Sequence, residues 1–505
     1  MCGVLGIYGH QYVAQDIYDG LISLQHRGQD ATGMITYDGN QFHMKKGLGL
    51  VKDVFRTRNM RLLQGNVGIG HTRYSTIGSG GAADAQPFLS QAFYGVAMGH
   101  NGNLFNSHEL KKELFEKDRR LVNSDCDVEV LLNVFTKALT KQKVEGNVEF
   151  DHICNAVSSV FKRSKGSYSV VTYIAKQGMV AFRDPHGIRP LIMGRRKKGM
   201  YYDYIFASEK IALDILGFET VRDVDAGEVI WIDQKRKMHS KVLTNKKHTP
   251  CIFEYIYFAR PDSMIDNVSV YKARLRMGER LASQIKKANL KIDVVMPVPD
   301  SSRTAAMALA QKLDLPYREG LIKNRYIGRT FIMPGQEVRK KSIKYKLNAM
   351  ALEFKKKKVL LVDDSIVRGN TSKAIVKMCK EAGASKLYFA SYSPPVKFPC
   401  VYGIDIPTSE ELIGYENSVE DIRKFMGADA LFYGTLKDTF DSCNVKKADV
   451  KDFCMACFDG KYKTGDVDKN VLKTASESRL NEKACGALQD SADTGEPGGD
   501  QLTIV

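Results

Sequence analysis

One stretch constrains the fold of this chain more than any other: Val359-Leu360-Leu361-Val362-Asp363-Asp364-Ser365-Ile366-Val367-Arg368-Gly369-Asn370-Thr371-Ser372. Four apolar residues form a buried strand that ends in two carboxylates, and a short loop with glycine and hydroxyls then opens a helix. Strand, loop and helix in that order build a parallel sheet, whose ligands bind beyond the strand C-termini. The flanking segments keep the same rhythm, with helices over about 271–288, 304–313 and 372–382 and strands at DVVMPV and KLYFASYSPP. The half of the chain after Cys251 therefore reads as α/β with a mostly parallel sheet.

The first half reads differently. From Cys2 to about Asp233 it is built of short apolar runs broken by glycine, such as GVLGIYG, VGIGHTRYST, FYGVAMGHNGN and EVIWID. That pattern predicts packed strands, with helices near 109–121 and 128–139 outside them. Residues 233–249, DQKRKMHSKVLTNKKHT, are polar and basic and mark the expected boundary. The predicted division is 2–235, 251–445 and an extension 446–505, whose end, ADTGEPGGDQLTIV, has the composition of a disordered tail.

The 505 residues carry 75 Lys and Arg against 58 Asp and Glu, a net charge of +17. This admits nucleic acid, anionic membranes or phosphate-bearing metabolites as partners. Runs such as Lys355 to Lys358 and Lys340-Lys341 read as solvated faces. Ten cysteines are too few for a disulfide scaffold. No apolar run reaches the ~18 residues of a membrane span, and MCGVLGIYGHQ lacks the form of a secretory signal. A soluble cytoplasmic protein is the expectation.

In the acidic stretch, loop N–H groups, the Ser365 and Thr371 hydroxyls and a helix N-terminus can together hold a phosphate monoester. A Walker A spacing is absent. Adjacent carboxylates suit ribose hydroxyls or Mg²⁺, although an Asp-Asp turn with a serine cap is the plain alternative. The stretch resembles the phosphoribosyl pyrophosphate (PRPP) motif of type I phosphoribosyltransferases. The resemblance implies that Ser365, Val367, Arg368, Gly369, Asn370 and Thr371 grip the 5-phosphate while Asp363 and Asp364 face the ribose and one Mg²⁺. It also makes Pro299-Asp300-Ser301-Ser302-Arg303 a pyrophosphate loop with Ser302 near the metal, and residues 323–332 a closing lid.

In the first half, removal of Met1 would put a thiol and an α-amine on Cys2. With an ordinary pKa of about 7.7–8, that amine can take the thiol proton near neutrality. Asn101-Gly102 is by itself a hairpin turn, but a side-chain amide and the next N–H can also aim two donors at one oxyanion. Arg73 can grip a carboxylate in a bidentate way, and Asp127 in the Ser124-Asp125-Cys126-Asp127 run can receive an ammonium group. Together these match the class II glutamine amidotransferases. The match implies an Ntn-hydrolase αββα sandwich with Cys2 as nucleophile, Asn101 and Gly102 as oxyanion hole, and Arg73 and Asp127 on the substrate's α-groups. His26-Arg27-Gly28-Gln29-Asp30 matches a turn beside the nucleophile.

A glutaminase half joined to a PRPP half resembles the amidophosphoribosyltransferases, over FEYIYFARPDS, KNRYIGRTFIMPGQ and VLLVDDSIVRGNTS among other strings. The implied reaction turns PRPP, glutamine and water into 5-phosphoribosylamine, glutamate and pyrophosphate at the start of purine synthesis. The family further implies purine nucleotides as feedback inhibitors, a homotetramer, and neither nucleic acid nor membrane as partner. Cys251, Cys400, Cys454 and Cys457 could hold zinc or an iron-sulfur cluster. They resemble the 4Fe-4S ligands of one branch of this family. That branch often has a propeptide before the nucleophile, whereas here only Met1 precedes it. The competing readings are another class II amidotransferase, which would lack the VLLVDDSIVRG element, and an RNA-binding regulator with a phosphoribosyltransferase fold, which would not need Cys2 and an oxyanion hole.

Overall fold

The computed structural model describes residues 2–74, 81–142, 144, 146–324, 346–446, 448 and 450–477. Most of the expected lid, the Lys340-Lys341 run, and the end of the tail lie outside the described residues.

The first half is a four-layer αββα sandwich. One sheet is antiparallel and seven-stranded, in the order Glu219–Asp223, Ile192–Lys198, Tyr201–Ala207, Gly3–Tyr8, Val67–Arg73, Ala31–Tyr37, Phe42–Leu48. The other has six strands, in the order Met238–Val242, Glu228–Asp233, Gly178–Arg183, Gly166–Ile174, Val96–Leu104, Phe88–Ser90. Strand alternation turns Val4, Ile35 and Ile69 of one sheet against Ala97, Val171 and Ile230 of the other, forming the inner core. The opposite faces are covered by helices. Asp127–Lys141 and Phe150–Arg163 pack on the six-stranded sheet, and Ala14–Ser23 and Lys210–Ile215 on the seven-stranded one.

The basic segment expected as a plain linker contributes an edge strand, Met238–Val242, paired with Glu228–Asp233. Its side chains are mostly exposed, and lysines on a sheet edge are a common guard against edge-to-edge association.

The second half is built on four parallel strands in the order Val294–Pro297, Lys358–Asp363, Lys386–Ser391, Ala430–Tyr433. Both faces are buried, as a parallel sheet requires. Val295, Leu360, Val362 and Ala390 face the core that contains helices Val270–Lys287 and Arg303–Leu313. Val294, Val359, Leu361 and Phe389 face helices Asn370–Glu381 and Val419–Met426. The start of the C-terminal extension belongs to this body, because Val450, Phe453, Cys454 and Phe458 are core residues. No described helix is long and apolar enough to cross a membrane.

Candidate active sites

The first half gathers its expected residues on or beside three strands and at the start of helix Asp127–Lys141. Cys2 is buried at the head of Gly3–Tyr8, which pairs with Val67–Arg73. Its N–H donates to Asn101 Oδ1 at 3.3 Å, and its carbonyl accepts from Arg27 Nε at 3.0 Å. The Nδ2 group of Asn101 is buried and has no hydrogen-bond partner among the described residues. An amide donor without a partner in a dry site costs free energy unless a ligand receives it.

The direction of the Gly102 N–H follows from strand geometry. His100 N–H donates to Gln86 Oε1 at 2.8 Å and Leu104 N–H to Asp127 Oδ2 at 2.9 Å, both on the side of the strand away from Gly166–Ile174. Alternate residues point their N–H groups the same way, so the Gly102 N–H emerges between Gln86 and Asp127.

Arg73 and Asp127 are both buried, and Arg73 lies in the field of Asp84, Cys2 and Asp127. Burial by itself would raise the Asp127 carboxyl, but His100 and the Leu104 N–H hold it below the usual carboxylate range. His100 Nε2 lies 3.3 Å from Asp127 Oδ2, and its Nδ1 lies 3.1 Å from Gln86 Nε2. His71 Nε2 lies 3.0 Å from the His100 carbonyl, to which it can only donate. The sequence reading named neither Gln86 nor His100. Only the GHNGN string hinted at His100.

Behind Cys2 is a buried charge network that sequence reasoning did not find. Arg27 Nη2 donates to Glu254 Oε1 at 2.8 Å and Arg27 Nη1 to Glu209. His26 Nε2 lies 2.7 Å from Glu209 Oε1, and the Ser263 hydroxyl donates to Glu209 Oε2 at 2.6 Å. Arg189 Nη1 approaches Glu254 Oε1 at 3.4 Å. Burial opposes ionisation of Glu209, yet His26 and Arg27 hold its carboxyl far below the usual range. Glu254 and Ser263 belong to the second half, so this network crosses the boundary.

In that half the two expected loops meet at adjacent strand ends. Ser302 Oγ donates to Asp363 Oδ1 at 3.1 Å and Ser301 Oγ to Asp364 Oδ1 at 2.6 Å. Ser365 Oγ donates to Asp364 Oδ2 at 2.5 Å. Burial and the neighbouring Asp364 push the Asp363 carboxyl well up. Gly369 takes φ +75°, a left-handed conformation suited to glycine, and caps helix Asn370–Glu381. The first-turn N–H groups of that helix have no intrahelical acceptor. Asn370 and Thr371 lie exposed in its first turn, Val367 accepts from the Ile413 N–H at 3.0 Å, and Arg368 pairs with Glu411 at 3.2 Å.

The four expected cluster cysteines lie within one another's electrostatic reach. Cys251 and Cys454 form a parallel bridge, and the Tyr402 N–H donates to Cys400 Sγ at 3.4 Å. Burial pushes the Cys251 thiol up to about 11, with Arg189 opposing the rise. Burial and the neighbouring thiols raise Cys457 further. Among the described residues no three His, Cys, Asp or Glu side chains converge as a site for a metal ion. A single zinc would need thiolates converging at about 2.3 Å, whereas a cluster spreads its ligands over its own corners. The donor set, three thiols in an apolar core and a fourth at its margin, beside an arginine, fits the latter. For Mg²⁺ the fit is two carboxylates with hydroxyls, the partial shell expected of an ion that keeps waters and substrate oxygens.

Residues 71–214 match the glutamine amidotransferase domain and residues 265–392 the phosphoribosyl transferase domain. The amidophosphoribosyltransferase of Pseudomonas aeruginosa is 50% identical over 482 residues, 95% of this chain and 96% of that protein. This chain belongs to the amidophosphoribosyltransferase family. Among solved structures, the Bacillus subtilis glutamine PRPP amidotransferase complexed with ADP and GMP is 40% identical, with a TM-score of 0.80 over 91% of this chain and 97% of that one. A structure described as the allosteric regulatory enzyme of purine biosynthesis is also 40% identical, with a TM-score of 0.83 over 94% of this chain and 99% of that one. The two halves of an amidophosphoribosyltransferase, a glutaminase and a PRPP-binding transferase, are thus the two bodies of the fold.

Proposed function

We propose that the chain carries out its family's reaction, releasing ammonia from glutamine at Cys2 and attaching it to C1 of PRPP beside Asp363 and Asp364. The observation that carries this reading is the unpartnered Asn101 Nδ2 beside a buried Cys2 whose own nitrogen is held by the same side chain.

Once Met1 is removed, the Cys2 nitrogen is an α-amine, and it takes the thiol proton as sulfur attacks the glutamine amide carbon. The carbonyl electrons move to oxygen, where Asn101 Nδ2 and the Gly102 N–H receive the charge. Collapse expels ammonia, the leaving nitrogen taking its proton from the Cys2 ammonium. Water then cleaves the thioester to glutamate. Arg73 and Asp127 hold the substrate's α-carboxylate and α-ammonium. In the second half, the loop 365–371 holds the 5-phosphate, Asp363 and Asp364 face the ribose, and ammonia displaces pyrophosphate at C1. Mg²⁺, held by Asp363, Asp364 and Ser302 together with substrate oxygens, would neutralise the pyrophosphate leaving group.

The cysteine quartet is proposed to hold a 4Fe-4S cluster; stoichiometric iron and a brown colour in anaerobically purified protein support it, and colourless, iron-free protein overturns it. Nucleotide feedback and a homotetramer are proposed from the family, and the relative solved with ADP and GMP supports the first.

The central test is Cys2→Ala against Asp363→Asn. Cys2→Ala is expected to lose glutamine-dependent synthesis and keep synthesis from added ammonium salt, whereas Asp363→Asn impairs both. A folded Cys2→Ala variant losing both equally refutes the assignment, as does mass spectrometry showing Met1 retained in active enzyme.

A further inference from the structure

We propose that residues 401–403 of the second half brace the oxyanion pole of the glutaminase, making Gly403 a positioning residue for acyl transfer. This rests on the assignment of Gly102 as an oxyanion donor.

Three contacts carry the inference. Asn103 Nδ2 donates to the Val401 carbonyl at 3.0 Å, and Ser167 Oγ donates to the Tyr402 carbonyl at 2.8 Å. Asn103 and Ser167 face each other across the strand pair that carries Asn101 and Gly102, so they pin the segment to that pair from both strands. Directly after these anchors, Gly403 lies so close to Gly102 that an added Cβ would sit 3.0 Å from its carbonyl oxygen and 3.1 Å from its carbonyl carbon. Gly403 also takes φ +95°, which a side chain disfavours. All of these groups are buried.

Among the described residues, the edge of the Val96–Leu104 strand beside Gly102 has no neighbouring strand, because Phe88–Ser90 pairs only with residues 96–98. On that open edge the donors at His100 and Leu104 are tied down by Gln86 and Asp127. The Gly102 N–H must stay available for substrate, so the peptide at this residue is held by packing instead. A displacement of a few tenths of an ångström there changes an oxyanion contact whose value depends on preorganisation. The substrate's α-groups, gripped elsewhere, are not disturbed by it.

The test is glutamine hydrolysis by the full-length enzyme carrying Gly403→Ala, with Ser167→Ala as a milder variant that removes one anchor without adding atoms. Gly403→Ala is expected to lower kcat by ~10- to 100-fold and Ser167→Ala by ~2- to 5-fold, with KM for glutamine within twofold. Iodoacetamide labelling of Cys2, which needs no oxyanion hole, should proceed at the wild-type rate. Ammonium-dependent synthesis should also be unchanged. An unaltered kcat in Ser167→Ala and in any Gly403→Ala that folds overturns the proposal. So does a fall in kcat accompanied by equal losses in KM and labelling, which would mean general loosening of the half. Asn101→Ala serves as the control for the underlying assignment: if that variant keeps full kcat, the oxyanion hole itself is misassigned, whatever Gly403 does.

Discussion

The two centres solve opposite electrostatic problems. The glutaminase centre sits inside an antiparallel sandwich, with Cys2, Arg73 and Asn101 buried on or beside three strands, and its carboxylates tied to fixed partners while Asn101 Nδ2 is left for substrate. The PRPP centre sits at the open ends of parallel strands, where a carboxylate pair and a helix N-terminus await a charged ligand. The first stores preorganisation in buried ion pairs; the second leaves its charge to be satisfied on binding. Substitutions of similar chemistry should therefore have very different consequences in the two places.

The largest expected contrast is between ion pairs. Glu254 is buried between Arg27 and Arg189. Glu254→Ala leaves Arg27 to Glu209, takes the carboxylate away from Arg189 and should cost about 3–5 kcal/mol of stability. The Arg368–Glu411 pair beside the phosphate loop is partly exposed on both sides, and Glu411→Gln should cost under about 1 kcal/mol. Chemical denaturation of both variants checks the difference. Equal costs would mean that the buried network is not what joins the halves.

Next in size is catalysis. Asn101→Ala removes one proposed oxyanion donor and should lower kcat for glutamine hydrolysis by ~10²–10³-fold, or about 2.7–4 kcal/mol. Its ammonium-dependent rate should stay at wild-type level, which keeps the effect within one centre.

The contrast also has a pH signature. Burial, with His100 adding to it, pushes the His71 imidazole down to about 3, so it stays neutral in the fold. The unfolded chain binds that proton near pH 6.5, so the folded state loses ground as pH falls below that value. Between pH 6.5 and 5 the loss should reach about 2 kcal/mol, while stability from this group is flat above pH 7.5. Urea unfolding of the first half at pH 7.5 and 5 should show this dependence, and His71→Gln should flatten it.

How far the sequence discloses such features depends on their range. The strand Lys358–Asp363 and helix Asn370–Glu381 were legible because a local apolar run, two acids and a glycine turn occur in order. The loop at 299–303 was legible for the same reason. The αββα layering came through resemblance, since glycine-broken strands alone do not say which faces meet. Helix Phe150–Arg163 went unread, although its apolar residues recur at helical spacing, because its cap is a glutamate instead of the usual Ser, Thr, Asp or Asn. Within the glutaminase centre the residues Cys2 and Asn101, which the structure brings together, were legible as candidates. The Arg27, Glu209, Glu254 and Arg189 network was not, because its members lie up to 227 residues apart and a lone buried acid has no local mark. The edge strand Met238–Val242 was hidden by Lys241 and the lysines that flank it, which describe its exposure better than its conformation.

The smallest predicted effect tests whether the halves remain separable at the level of a single helix. Ser418 caps helix Val419–Met426 by accepting from the Asp421 N–H at 3.1 Å, and Asp421 accepts in return from the Ser418 N–H at 3.3 Å. This reciprocal cap supports Phe425, whose ring lies under Lys373 at 4.3 Å and beside Gly369. Ser418→Ala should therefore cost about 1 kcal/mol, and because the helix backs the phosphate loop, it should raise the KM for PRPP. Glutamine hydrolysis occurs on the far side of the buried network and should not change. If hydrolysis fell along with PRPP affinity, the rigid network between Arg27 and Glu254 would be transmitting small strains from the open centre to the dry one.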